Sequence, residues 1–290
     1  MRSLDVTVLL HEGPQARAYL SLLRRSGLRP ERLVLVLEEN HAVTGRPLGR
    51  WLPRWLRTPY VERVQDLTRN HWPRALRRDH PELLDAILEG MQERVPGAAE
   101  IVSEITGAFR YETYARRVDR VFAQGVSDIP VERALAGAGA VLFTGGGLIR
   151  SNILRLPSVR LLHVHPGRLP ELRGADGVLW SETLRDEVGM SCFYMEEGLD
   201  AGPLVATASL PPLRFDLKRR PRPEGQTLYR ALFSFVDPLL RARFLTDLIQ
   251  RAGGPLADLP ASAQDPTAGV VQHFMHPRLR DRALGRIFAS

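Results

Sequence analysis

Two short Val/Leu-rich runs, residues 4–10 (LDVTVLL) and 32–37 (RLVLVL), flank a segment with Ala18, Leu22 and Leu23 at helical spacing that closes at Ser26-Gly27. A strand–helix–strand unit this short favours two parallel strands joined by a right-handed crossover. The alternation resumes later in the chain. Residues 120–123 read as a strand, Pro130 followed by VERALAGAGA as a helix, and 140–144 (AVLFT) and 159–165 (VRLLHVH) as strands. Residues 178–186 read as a helix, and 189–195 (GMSCFYM) and 204–210 (LVATASL) as the last strands. The pattern predicts an α/β fold, a Rossmann-like, mostly parallel twisted sheet with helices on both faces. Residues 41–115 interrupt it. There Leu83, Leu84, Ile87, Leu88 and Met91 recur at helical spacing and predict a helical insertion, with Trp51, Trp55 and Tyr60 packing it onto the body or forming a lid or a dimer contact. Residues 225–251 predict further helix, followed by a short irregular tail. Residues 1–215 are thus expected to form the main domain and 216–290 an extension packed on the same body.

The residues that can do chemistry gather at one place in this scheme. His163 and His165 end a strand run, and they share a face because strand side chains alternate with a period of two. The ends of AVLFT and VRLLHVH fall on the same carboxyl edge, where open α/β sheets bind ligands. AVLFT runs into Gly145-Gly146-Gly147, which allows close backbone approach to a flat ligand. Loop 166–177 (PGRLPELRGADG) follows the histidines, and Asp200 lies further on in the acidic, Gly-bounded turn 196–203. A carboxylate beside an imidazole fixes its tautomer and raises its pKa, so two imidazoles and one acid can carry general acid–base chemistry. A metal would need a third ligand beside the histidines, and neither a second cysteine nor a nearby histidine supplies one, so no metal is expected. The first turn, HEGPQ, has only Gly13 and places the donor-less Pro14 next to it, unlike a phosphate-cradling loop.

Charge and cysteine usage narrow the setting. The 40 basic residues, all arginine except Lys218, exceed the 33 acidic ones and give a net charge of +7. Spread over a solvated surface, that charge suits an anionic small molecule, and no nucleic-acid partner is expected. No apolar run approaches the ~20 residues of a membrane span. The start, MRSLDVTVLL, lacks the form of a signal peptide. Cys192 is the sole cysteine, so a reducing, cytoplasmic setting is expected and no membrane partner.

The run VHPGRLPELRGADGVLW, followed by GLDAGPL, resembles the core of the folate-dependent formyltransferases. His165-Pro166, Leu169-Pro170, Arg173-Gly174 and Gly198-Leu199-Asp200-Ala201-Gly202 match that family's motifs in order and spacing, across roughly residues 119–210. The resemblance implies a formyltransferase that moves a formyl group from 10-formyltetrahydrofolate to the amine of a small-molecule acceptor. It makes His165 and Asp200 an acid/base pair and puts His163 in the oxyanion-donor position, where the family carries Asn. It also implies that Gly146, Gly147, Leu148, Ile149 and Arg150, together with Met195, Glu196, Glu197, Gly198 and Leu199, hold the folate.

Within that family, HEGPQ departs from the loop by which the glycinamide ribonucleotide branch holds a phosphate. The helical run 225–251 departs from the β-rich barrel of the methionyl-tRNA branch. QHFMHPRLR resembles the tails of the small-amine branch, notably hydroxyornithine formylases. Two alternatives stay open. One is formylation of an RNA-linked amine through the basic, aromatic insertion. The other is a catalytically weak folate-binding protein, because His163 replaces the expected Asn. A homodimer is compatible with each.

Overall fold

The computed structural model describes residues 1–146, 148–217, 222–265 and 267–289. The opening unit is β1 (Arg2–Leu10), α1 (Pro14–Arg25) and β2 (Leu28–Glu38), and the insertion is α2 (Arg54–Arg69), α3 (His71–Asp79), α4 (Pro81–Met91) and α5 (Ala98–Thr106). The alternation then resumes with β3 (Arg117–Ala123), α6 (Ile129–Leu135), β4 (Gly139–Phe143), α7 (Ser151–Leu154), β5 (Val159–His165) and β6 (Leu172–Gly174). Next come α8 (Gly177–Arg185), β7 (Val188–Tyr194), β8 (Leu204–Leu210) and β9 (Phe215–Asp216). The chain finishes with α9 (Gly225–Ala231), a π-helical turn, α10 (Asp237–Arg251), β10 (Val270–Gln272), α11 (Pro277–Ile287) and β11 (Phe288–Ala289).

The main sheet has seven strands in the order β3-β2-β1-β4-β5-β7-β8. Its members from β3 to β5 are parallel, and β7 and β8 are antiparallel. The Rossmann-like α/β fold read from the sequence is therefore present. The strands β1, β2, β4 and β5 are near-continuous apolar runs buried on both faces, as parallel strands covered by helices must be. The outer strand β8 is half-exposed throughout. β1 lies between β2 and β4, so the order of strands reverses there and a crevice opens at the carboxyl ends of β1 and β4.

Apolar side chains on the two sheet faces form two clusters. The larger takes Val8 and Leu10 of β1 with Leu20 and Leu23 of α1 and Leu239, Leu245 and Ile249 of α10. The smaller takes Leu9, Val141, Phe143, Val159 and Leu161 with Val131 and Leu135 of α6. Each fully buried Leu or Phe side chain contributes roughly 1.5–3 kcal/mol of transfer free energy. The C-terminal helix α10 packs along α1, so it shares the core of the first strands.

Two expectations change. In the insertion, Leu83, Leu84, Ile87 and Met91 of α4 are buried as predicted, but Trp51 and Trp55 are 85% and 73% exposed and do not pack on the body. Arg57 takes that place, its guanidinium lying 4.3 Å from the Phe122 ring of β3, while α2 buries Val61 and Gln65. The tail is not irregular. Its β10 pairs with β6, and β11 pairs with β9, so main-chain hydrogen bonds rather than a strong apolar pattern order it. No helix among the described residues is long and apolar enough to cross a membrane.

Candidate active site

β5 runs past its neighbour. Its pairing with β4 ends at Leu142 opposite Leu162, so residues 163–165 leave an open notch beside β4, at the crevice where strand order reverses. On its other side β5 stays paired with β7, with His163 opposite Phe193, Val164 opposite Cys192 and His165 opposite Ser191. Both histidines are buried, at 8% and 4% exposure.

His163 lies between the rings of Phe143 and Phe193, with centroids 5.5 and 5.9 Å away. Its Nδ1 is 3.2 Å from the Phe143 carbonyl oxygen, which can only accept, so Nδ1 carries the proton and Nε2 a lone pair. Burial, and then the charge of Arg241, push its pKa down from 6.5 to about 4. The ring is neutral at physiological pH.

His165 is held differently. Its Nε2 donates to the Leu172 carbonyl at 3.0 Å, and its Nδ1 faces Asp200 Oδ2 at 3.5 Å. In the neutral ring two acceptors therefore confront each other, a carboxylate and an imidazole lone pair. Burial pushes the His165 pKa down while Asp200 pulls it up. A proton donated into this gap would satisfy both groups, so the arrangement is able to accept one.

Local structure fixes Asp200. The residue adopts a left-handed conformation, φ 49°, which Asp tolerates better than most non-glycine residues. Gln264 Nε2 donates to the carbonyls of Asp200 and Gly202 at 3.1 and 2.7 Å and pins the turn. The Gly174 amide donates to Asp200 Oδ2 at 2.7 Å. Gly174 itself has φ +95°, and a Cβ there would lie 2.1 Å from the Gln272 carbonyl oxygen, so only glycine lets β6 and β10 pair while presenting this amide. Ser191 Oγ, bonded to Gly167 O and Leu169 N at 2.7 and 2.9 Å, fixes the start of the loop after the histidines.

The residues expected to hold folate flank this centre. Gly146 and Leu148 are exposed, Leu148 at 73%, and Ile149 is buried against the smaller cluster. The Arg150 amide donates to Ser127 Oγ at 3.0 Å. Gly147 lies outside the described residues. In the turn after β7, the Met195 amide donates to Leu161 O at 2.8 Å, Glu197 pairs with Arg155 at 2.9 Å, and Leu199 is 42% exposed. Glu196 bonds through its amide to Ala201 O, and Gly198 takes φ 113°.

Three features escaped sequence reasoning. Arg241 of α10 donates from Nη1 to the Val164 carbonyl at 3.1 Å and from Nε to Asp237 Oδ1 at 2.8 Å. Its sequence signal is an acid and a base four apart among apolar neighbours, a pattern that usually marks a surface pair. Gln264 is the second, with no motif around it. The third is a charged network at the ends of β1 and β2. There Glu12, 3% exposed, accepts from Arg17 at 2.9 Å and from Asn70 at 3.0 Å, and His11 contacts Glu38 at 3.2 Å. A buried carboxylate thus occupies the first turn, in accord with the absence of a phosphate-cradling sequence there.

The segment that carries this centre matches a known protein family. Residues 129–218 match the family described as formyl transferase. The methionyl-tRNA formyltransferase of Halorhodospira halophila is 34% identical over 88 residues, which are 30% of this chain and 28% of that protein. The Myxococcus xanthus methionyl-tRNA formyltransferase is 39% identical over 62 residues, 21% of this chain and 20% of that protein. The chain thus spans less than a third of the length of these curated relatives. Among solved structures, a sugar N-formyltransferase from Shewanella superposes on 97% of this chain and 87% of its own, at 13% identity and a TM-score of 0.46. The stretch that is similar to the formyl transferases, residues 129–218, holds both histidines and Asp200.

Proposed function

We propose that this protein moves a formyl group from 10-formyltetrahydrofolate to the amine of a small-molecule acceptor. The observation that carries the reading is the facing pair His165 Nδ1 and Asp200 Oδ2, 3.5 Å apart, within a formyl transferase segment. Attack of an amine on a formyl carbon requires a proton to leave the attacking nitrogen and one to reach the folate nitrogen that departs. The His165–Asp200 pair takes the first and returns it. His163 occupies the position at which the formyltransferases carry the Asn that serves as oxyanion donor. Loop 146–150 and turn 195–199 hold the donor, with Leu148, Met195 and Leu199 offering apolar contact to its ring.

A small acceptor is favoured by the C-terminal helices. α9 and α10 pack on the body, and α10 reaches the site through Arg241. The test is incubation with 10-formyltetrahydrofolate and a panel of small amines, following release of tetrahydrofolate. Turnover with at least one amine is expected; folate binding without turnover on any would overturn the reading.

A second reading, formylation of an RNA-linked amine, draws on the curated relatives' names and on the exposed Trp51 and Trp55 among arginines. It requires tRNA binding that weakens steeply with salt. Binding of tRNA that is undetectable at low ionic strength removes it.

A further inference from the structure

The notch beside β5 holds a cation that the formyl transferase segment does not supply. Arg241 lies on α10, beyond residues 129–218. Its Nη1 bonds the Val164 carbonyl, which lies between His163 and His165. Its Nε is taken by Asp237. Its Nη2 has no hydrogen-bond partner among the described residues, yet it is not an enclosed atom. The side chain is only 13% exposed. Nη2 is therefore an unbonded donor of a nearly dry guanidinium that is anchored on the carbonyl between the two histidines. Its charge acts on His163, His165 and Asp200.

His163 supplies no such donor. Its one proton is on Nδ1 and bonded to Phe143 O, and its other nitrogen carries a lone pair. An oxyanion that develops at a formyl carbon needs a donor fixed in advance. Resting on the formyl-transfer reading above, we propose that Arg241 Nη2 is that donor and is a catalytic residue of this chain.

The step balances as follows. The acceptor nitrogen bonds to the formyl carbon, and the C=O π electrons move onto oxygen, whose charge Arg241 receives. The amine proton passes to His165–Asp200. The carbonyl re-forms as the bond to the folate nitrogen breaks, and that nitrogen takes the proton. No oxidant or reductant is involved. His163, by its lone pair, accepts a hydrogen bond from the acceptor's N–H and orients it.

Hydroxylamine is the probe that isolates the role, because it carries no anionic group for an arginine to hold. Formyl transfer from 10-formyltetrahydrofolate to hydroxylamine is measured for wild type, Arg241→Gln and the paired Asp237→Asn/Arg241→Gln, which leaves no unpaired buried carboxylate. Both variants should lose about 10²–10³-fold in kcat with an unchanged Kd for tetrahydrofolate, and the paired variant should keep a native melting transition. Adding His163→Asn, which brings an amide with a free N–H, should restore at least tenfold. Three results overturn the assignment: kcat within threefold of wild type in the paired variant, a loss seen only as a raised KM, or no rescue by His163→Asn. Wild-type protein that transfers formyl to no nucleophile overturns formyl transfer itself, whereas an active wild type with an equally active paired variant overturns only the role of Arg241.

Discussion

At His163 the free energy of charging an imidazole inside the fold becomes a measurable pH dependence. Its folded pKa, about 4, lies below the ordinary 6.5, chiefly because of burial. The unfolded chain therefore binds the proton more readily, and stability from this residue is full above pH 6.5 and lost as pH falls toward 4. At about 1.4 kcal/mol per unit, that is roughly 2 kcal/mol between pH 7 and pH 5. Urea denaturation across that range should show the decline, and His163→Asn should flatten it. A substitution at Asp200 can test folding and chemistry separately. An Asn there tolerates the left-handed conformation and still accepts from the Gly174 amide. Asp200→Asn should melt within a few degrees of wild type yet release tetrahydrofolate at least about 10²-fold more slowly. A variant that kept full turnover would remove Asp200 from the proton path.

At the scale of elements, the small β6–β10 pairing matters more than its length suggests. Gly174→Ala puts a methyl group into the Gln272 carbonyl and a left-handed φ on a residue with a side chain. It should cost at least about 1–3 kcal/mol. Hydrogen exchange should show loss of protection at Val270–Gln272, and turnover should fall because the amide that holds Asp200 moves. The parallel strands were legible in the sequence because their runs are apolar without alternation, which only doubly covered strands can be. The meeting of His165 with Asp200 was legible because their spacing is local, within one strand–loop–helix–strand stretch. Arg241 was not, because its meaning depends on α10 folding back along α1, a contact no local pattern encodes. Packing of Trp51 and Trp55 on the body, one of the three alternatives, failed for the opposite reason: a large apolar side chain announces a preference for burial, but the residue of the segment that meets Phe122 is Arg57.

Over the whole molecule, the C-terminal helices are part of the core that the first strands build. Leu245 of α10 is fully buried in the larger cluster, so Leu245→Ala should cost about 2–5 kcal/mol, read as a shift in the urea midpoint. The same helix carries Arg241, so loosening it should depress turnover before it unfolds the protein. The antiparallel partner of β5 has a different use. Cys192 lies opposite Val164, is fully buried, and its thiol is pushed well above the ordinary range by burial. Folded protein should be inert to thiol reagents. As the sole cysteine, it turns chemical labelling into a clock with a single hand, because each modified molecule marks one opening of β7, the strand paired with the one that carries both histidines. Labelling in native buffer times those openings directly, and any ligand that closes over the site should slow the clock by the factor with which it prefers the closed form.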